Sequence, residues 1–156
     1  MPTERQKAAA ALAVALIVPA EGLRQIAYRD PVGILTVCYG ETFNVEVGRK
    51  YTLEECRGRL DESMLKAISY VDKCAPGLPV PVLAAFADAA YNIGPKVACD
   101  KANSTAARML AAGNYKGACN ELPKWDKARV AGAMVSLPGL TKRREKERQL
   151  CLTAQS

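Results

Sequence analysis

Glu21, Asp30 and Thr36 are the residues of this chain whose types and spacing could do chemistry together. Eight residues separate the two acids, and Thr36 follows at the sixth position after Asp30. Two carboxyls held in different surroundings are what cleavage of a glycosidic bond requires. One stays protonated in a dry pocket and protonates the leaving oxygen; the other stays ionised and handles a water or the developing sugar cation. A hydroxyl beside the second acid can orient that water. The same spacing also describes acids that merely face solvent, so the elements around them have to be considered.

Gly22 loosens the chain just after the first acid, and Asp30-Pro31-Val32-Gly33 is a turn signal. The run Ile34 to Tyr39, rich in branched and aromatic residues, reads as a strand. Glu21 then lies on or just before a short helix, Asp30 enters a turn and Thr36 leaves it on a strand, all directed at one cleft. Thr52-Leu53-Glu54-Glu55 is a capping box. It opens an apolar face (Leu53, Cys56, Leu60, Met64, Ala67, Val71) that predicts a helix of about twenty residues. Val82, Phe86, Ala89 and Ile93 form the next helical face, ended by Gly94-Pro95. Ser104 and Asn114 can cap two shorter helices, and a last helix runs from about Thr141 to Leu152. The fold class expected is α+β, mainly α: a small N-terminal β-hairpin lobe joined by a long helix to a helical C-terminal lobe.

With 156 residues, 49% apolar and 24% charged, the chain can bury a substantial core in one compact, monomeric fold. Its formal charge of +6 suits an anionic envelope. The basic residues are scattered except at Lys142-Arg143-Arg144, and no nucleic-acid motif accompanies them. Histidine is absent. That excludes Ser-His-Asp and Cys-His catalysis and His-ligated metals, and leaves acid–base work to carboxylates with no cofactor. Six cysteines, Cys38, Cys56, Cys74, Cys99, Cys119 and Cys151, include no Cys-x-x-Cys pair. They read either as buried free thiols or as three disulfides formed in an oxidising compartment such as the periplasm. Cys74 and Cys99 bracket one predicted helix, and Cys119 and Cys151 the last two. The pairing expected is therefore Cys38–Cys56, Cys74–Cys99 and Cys119–Cys151.

The words around the triad go further. Glu21-Gly22-Leu23-Arg24, Tyr28-Arg29-Asp30-Pro31-Val32-Gly33 and Thr36-Val37-Cys38-Tyr39-Gly40 resemble the phage-type lysozymes, endolysins with a Glu-x8-Asp-x5-Thr triad. Phe86 to Gly94, Gly117-Ala118-Cys119-Asn120 with Trp125, and Leu137-Pro138-Gly139-Leu140 with Arg143-Arg144-Glu145 are similar to later segments of that family, in the family's order. The resemblance implies a lysozyme-like fold and hydrolysis of the β-1,4 bond between N-acetylmuramic acid and N-acetylglucosamine in peptidoglycan. It makes Glu21 the general acid and Asp30 and Thr36 the water-handling pair. It also sets Tyr91 and Asn92 along the saccharide cleft, although Asn92 could equally cap its helix. Trp125 is expected to be a core or interlobe anchor rather than a sugar platform. Arg143 or Arg144 could approach Glu21, or face solvent. The family's Gly-His-Thr stands here as Gly40-Glu41-Thr42, and Glu41 is expected to be a solvated turn residue rather than a third cleft carboxylate.

Arg5 and Lys7 precede an apolar run from Ala8 to Ala20 that holds seven alanines. The form is that of a signal-peptide front end, but cleavage after Ala20 would make Glu21 a terminus. As a helix the run spans about 20 Å, short of a hydrocarbon core of about 30 Å. Here the chain resembles the signal-anchor-release endolysins. That implies residues 1–20 as an uncleaved, weakly held inner-membrane anchor, 21–156 as the catalytic domain, and export to the host periplasm. An ordinary buried helix is the alternative. Two functional rivals stand beside the hydrolase: a lytic transglycosylase on the same polymer, and a non-enzymatic basic disulfide-bonded protein that binds or permeabilises envelopes.

Overall fold

The computed structural model describes residues 1–18, 22–31 and 33–155. Glu21, and with it the expectation for the start of the triad, lies outside them. The first helix, α1 (Glu4–Ile17), opens with a capping box: the Gln6 N–H donates to Thr3 Oγ1 at 3.1 Å and the Thr3 N–H to Gln6 Oε1 at 3.0 Å. Its Ala9, Ala13, Val14 and Ile17 are buried. They belong to the same core as residues of α2 (Leu53–Cys74) and α3 (Val80–Ile93), including Leu60, Met64, Leu83 and Phe86. The described part of the N-terminal segment is thus a helix docked in the helical lobe. Among the described residues no helix is long and apolar enough to cross a membrane.

Polar contacts hold the start of α1 in place. Arg5 donates from Nη1 to Asp72 Oδ1 at 2.9 Å and from Nε to the Leu78 carbonyl at 3.1 Å. Gln6 Nε2 donates to the second Asp72 oxygen at 2.9 Å. One carboxylate near the end of α2 therefore fastens two side chains of α1.

The α2 helix begins at the expected cap, where Thr52 and Glu55 exchange backbone N–H bonds at 3.0 Å each. Its 22 residues extend about 33 Å, from the hairpin lobe to the far side of the helical lobe. The hairpin pairs β1 (Arg24–Arg29) with β2 (Leu35–Cys38), placing Tyr28 opposite Thr36 and Arg29 opposite Leu35. It has its own small core of Val37, Cys38, Tyr51 and Cys56, and Tyr39 packs against both cores.

Most of α3 is buried from Val82 to Ala89, which makes it the central helix. Short helices α4 (Lys96–Cys99), α5 (Thr105–Ala111) and α6 (Tyr115–Glu121) follow, the last two capped by Ser104 and Asn114. After a 3₁₀ turn (Leu122–Trp125) comes a hairpin without a counterpart in the sequence reading: β3 (Lys127–Val130) against β4 (Ala133–Ser136). Its two-residue turn has positive φ at both Ala131 (50°) and Gly132 (85°), the mirror-image geometry that suits tight hairpins. The last helix, α7 (Pro138–Leu152), starts three residues before Thr141 because Pro138 occupies its first turn, where a missing N–H costs nothing. Disulfides join Cys38 to Cys56, Cys74 to Cys99 and Cys119 to Cys151.

Replacing Asp72 by alanine should loosen α1. Because Arg5 and Asp72 are both part-exposed, we expect a loss of about 1–2 kcal/mol, measured by urea unfolding.

Candidate active site

Asp30 and Thr36 meet at the backbone of one residue, Ile34. The Asp30 N–H and the Thr36 hydroxyl both donate to the Ile34 carbonyl, each at 2.9 Å, while the Ile34 N–H donates to Asp30 Oδ1 at 2.9 Å. The Gly33 N–H closes the turn onto the Asp30 carbonyl at 2.8 Å. Thr36 is 4% exposed. Its only proton is committed to Ile34, so toward any third group its oxygen can act as an acceptor. The hairpin thus brings two of the three candidate catalytic residues together; the third, Glu21, is outside the described residues.

Tyr91 and Asn92 stand at the end of α3, where two adjoining hollows of about 500 and 370 Å³ share Asn92 and Arg143 as lining residues. The larger lies between Leu16 near the end of α1 and the start of α7, with Lys142 and Lys146 on its rim. The smaller lies between α3 and the turn that follows β2, and includes Tyr39, Glu41, Phe43, Lys66 and Tyr91. Neither Asp30 nor Thr36 is among its described lining. Asn92 does not act as a helix cap: its Oδ1 accepts Arg144 Nη2 at 2.7 Å.

Glu41 departs from expectation. It is 3% exposed, not solvated. It is drawn inward because Oε1 accepts the Tyr39 N–H at 3.2 Å and Oε2 accepts the Tyr91 hydroxyl. Burial raises its pKa above 4.5, and the Tyr91 hydrogen bond only partly offsets that. A carboxylate therefore does line the smaller hollow.

The two arginines are also inside. Arg143 grips Asp88 with a fork, Nε to Oδ2 at 3.1 Å and Nη2 to Oδ1 at 2.9 Å. Arg144, fully buried, grips Glu147 likewise at 2.6 and 2.8 Å. Asp88 and Glu147 are fully buried as well. The run Lys142-Arg143-Arg144 thus turns two of its three charges into the protein, because two carboxylates there need partners. Sequence reasoning missed Asp88 and Glu147. The available signal was an acid set in the apolar run Phe86-Ala87-Asp88-Ala89. Desolvation, reinforced by the neighbouring Asp88, holds the Glu147 carboxyl well above its ordinary range despite Arg144. Trp125 packs half-buried against the helical core, and its carbonyl faces Arg144 Nη1 at 3.4 Å. Among the described residues no group of three or more acid or thiol ligands converges as a metal site would require.

A hairpin lobe and a helical lobe flanking a cleft, with Asp30 and Thr36 paired on the hairpin, define the lysozyme class of fold. Solved structures agree. The active form of the phage P1 endolysin superposes with a TM-score of 0.80 at 30% identity, covering 92% of this chain and 84% of that one. Its secreted inactive form gives 0.54 at 28% identity over 73% and 77% of the two chains. A SAR-endolysin of bacteriophage PS119 is 35% identical over 134 residues, 85% of this chain and 76% of that protein. The phage lysozyme family model matches residues 19–147, and the chain belongs to the phage lysozyme family.

The buried acid has a consequence for stability. With the folded-state pKa of Glu147 above 4.5, the native state holds more protons than the unfolded state between those two values. Its contribution is therefore complete below pH 4.5 and is lost as pH rises through the folded-state value. Urea unfolding at pH 5 and pH 8 should show a stability difference in favour of acid, and Glu147→Gln should shrink that difference.

Proposed function

We propose that this chain is an endolysin that hydrolyses the β-1,4 bond between N-acetylmuramic acid and N-acetylglucosamine in peptidoglycan, and so lyses the bacterial host. The observation that carries the reading is the junction of Asp30 and Thr36 on the Ile34 backbone, in a chain of the phage lysozyme family. The basic rim of Lys142 and Lys146 on the larger hollow suits an anionic cell wall.

Glu21 is the general acid. It gives its proton to the glycosidic oxygen as the bond to the anomeric carbon breaks. Asp30, ionised, takes a proton from the attacking water, and the Thr36 oxygen accepts that water's second hydrogen. Tyr91 and Asn92 line the path of the glycan. Water held by Asp30 and Thr36 produces inversion, whereas direct attack by Asp30 produces retention; the anomer formed first, seen by NMR, separates the two routes.

The N-terminal segment serves twice in this account. Relatives named SAR-endolysins support export to the periplasm, with residues 1–20 first tethered in the inner membrane. On release they fold into the α1 position described above, as a monomer acting on peptidoglycan. The greater likeness to the active than to the inactive P1 form supports reading the docked helix as the working state.

Glu21→Gln should lower clearance of permeabilised Gram-negative cells by at least about a hundredfold while leaving the thermal midpoint unchanged. Normal clearance by that variant would remove Glu21 as the acid.

A further inference from the structure

The turn after β2 carries a carboxylate that the mechanism above does not use. Glu41 closes this turn through its backbone, with the Val37 N–H donating to its carbonyl at 2.9 Å and its own N–H returning to the Val37 carbonyl at 3.0 Å. Its side chain then points into the protein at the join between the lobes. One oxygen accepts the Tyr39 N–H, on the near side of the turn; the other accepts the hydroxyl of Tyr91, on α3. That hydroxyl also lies 3.4 Å from the Tyr39 carbonyl. A single tyrosine of the helical lobe is thus tied, through the Glu41 carboxylate, to both arms of a turn of the hairpin lobe.

What the turn presents matters for the cleft. Thr42 and Phe43, directly after Glu41, form the opposite lip of the smaller hollow together with Lys66, and Tyr91 and Asn92 form its wall on α3. The width between wall and lip is set by whatever ties the turn to α3. Among the described residues, the charged and titratable groups facing Glu41 are Tyr39 on its own turn, Arg59 and Lys66 on α2, Tyr91 on α3 and Arg143 on α7.

We propose that Glu41 is a positioning residue for the glycan: as a carboxylate bonded to Tyr39 and Tyr91 together, it fixes the spacing between the α3 wall and the Phe43 lip and so sets the affinity of the cleft for the wall polymer. It touches no reacting atom. The inference rests on the hydrolase reading and deepens it. A glutamine is nearly the same shape but has one acceptor oxygen and one donor NH₂. It cannot accept from the Tyr39 N–H and the Tyr91 hydroxyl on separate atoms, and the bonds it keeps are no longer charge-assisted. The raised pKa of Glu41 adds a pH signature. The junction is complete above that pKa and weakens as pH falls through it.

The test uses the full-length protein and soluble sonicated peptidoglycan, with reducing ends counted across pH and melting followed in parallel. The variants are Glu41→Gln, Tyr91→Phe and the double substitution. Each single change should raise KM about tenfold, and Glu41→Gln, which touches no reacting atom, should keep kcat within about twofold. The double variant should resemble either single one, since both remove the same junction. In wild type KM should climb on the acid side; in Glu41→Gln it should stay flat there. An unmoved KM in both single variants, or a double variant whose KM rise is the product of the two, would overturn the proposal. Should Glu41→Gln fail to fold, Tyr91→Phe decides alone, and an unchanged KM and acid-side profile there counts against it. Wild type that releases no reducing ends would instead sink the hydrolase reading, whereas normal wild-type turnover with unmoved variants sinks only the role of Glu41.

Discussion

Asp88 sits in the most deeply buried stretch of the central helix, and a carboxylate there has to be matched. Arg143 matches it with a two-point grip, and one residue on Arg144 does the same for Glu147. The Arg143–Asp88 pair crosses from α7 to α3 and decides how the last helix lies, while Arg144 and Glu147 pair within α7. They also decide what the cleft is made of: Arg143 lines both hollows and Arg144 turns the Asn92 amide. Buried ion pairs of this kind add little net stability over an apolar packing, but losing one partner strands the other charge at a cost of about 3–5 kcal/mol. Their service here is register. An apolar α3–α7 contact could slide; a forked arginine on a buried carboxylate has one position.

The hairpin lobe follows a different rule. It is too small to hold itself by burial, with four buried residues in its core, and two-stranded sheets are marginal alone. Local bonds compensate: the Asp30 turn, the Ile34 node, the Cys38–Cys56 disulfide to α2 and the Glu41–Tyr91 link to α3. Asp30 and Thr36 on this hairpin are therefore positioned by hydrogen bonds within a few residues of themselves. The N-terminal helix obeys a third rule. Its docked face is mainly alanine, which packs closely against α2 and α3 yet buries little area per residue. Arg5 and Gln6 on Asp72 provide the direction that such a weak apolar face lacks.

What was legible in the chain reflects these rules. Caps and turns are local, so Thr52, Ser104 and Asn114 marked their helices, and Asp30-Pro31-Val32-Gly33 marked the turn that seats Asp30. The order of lobes followed from the long apolar face beginning at Leu53. The second hairpin, Lys127–Ser136, was not legible. Its strands have no alternation of buried and exposed positions, since β4 is exposed throughout, and Ala131-Gly132 is a weaker turn signal than Asn-Gly or Asp-Gly. The burial of Glu41 was hidden for a different reason: its partner Tyr91 is fifty residues away. Likewise a basic run at Lys142-Arg143-Arg144 reads as solvated until Asp88 and Glu147 are known to face it.

The central claim is that this hairpin and cleft direct water onto a sugar linkage between two carboxyls. Digestion of purified peptidoglycan in H₂¹⁸O, followed by mass spectrometry of the released muropeptides, tests it most directly. The account predicts reducing-end products that carry one ¹⁸O from solvent. Anhydro products without the label would assign the chemistry to internal attack by the sugar, and the water-handling role of Asp30 and Thr36 would be wrong.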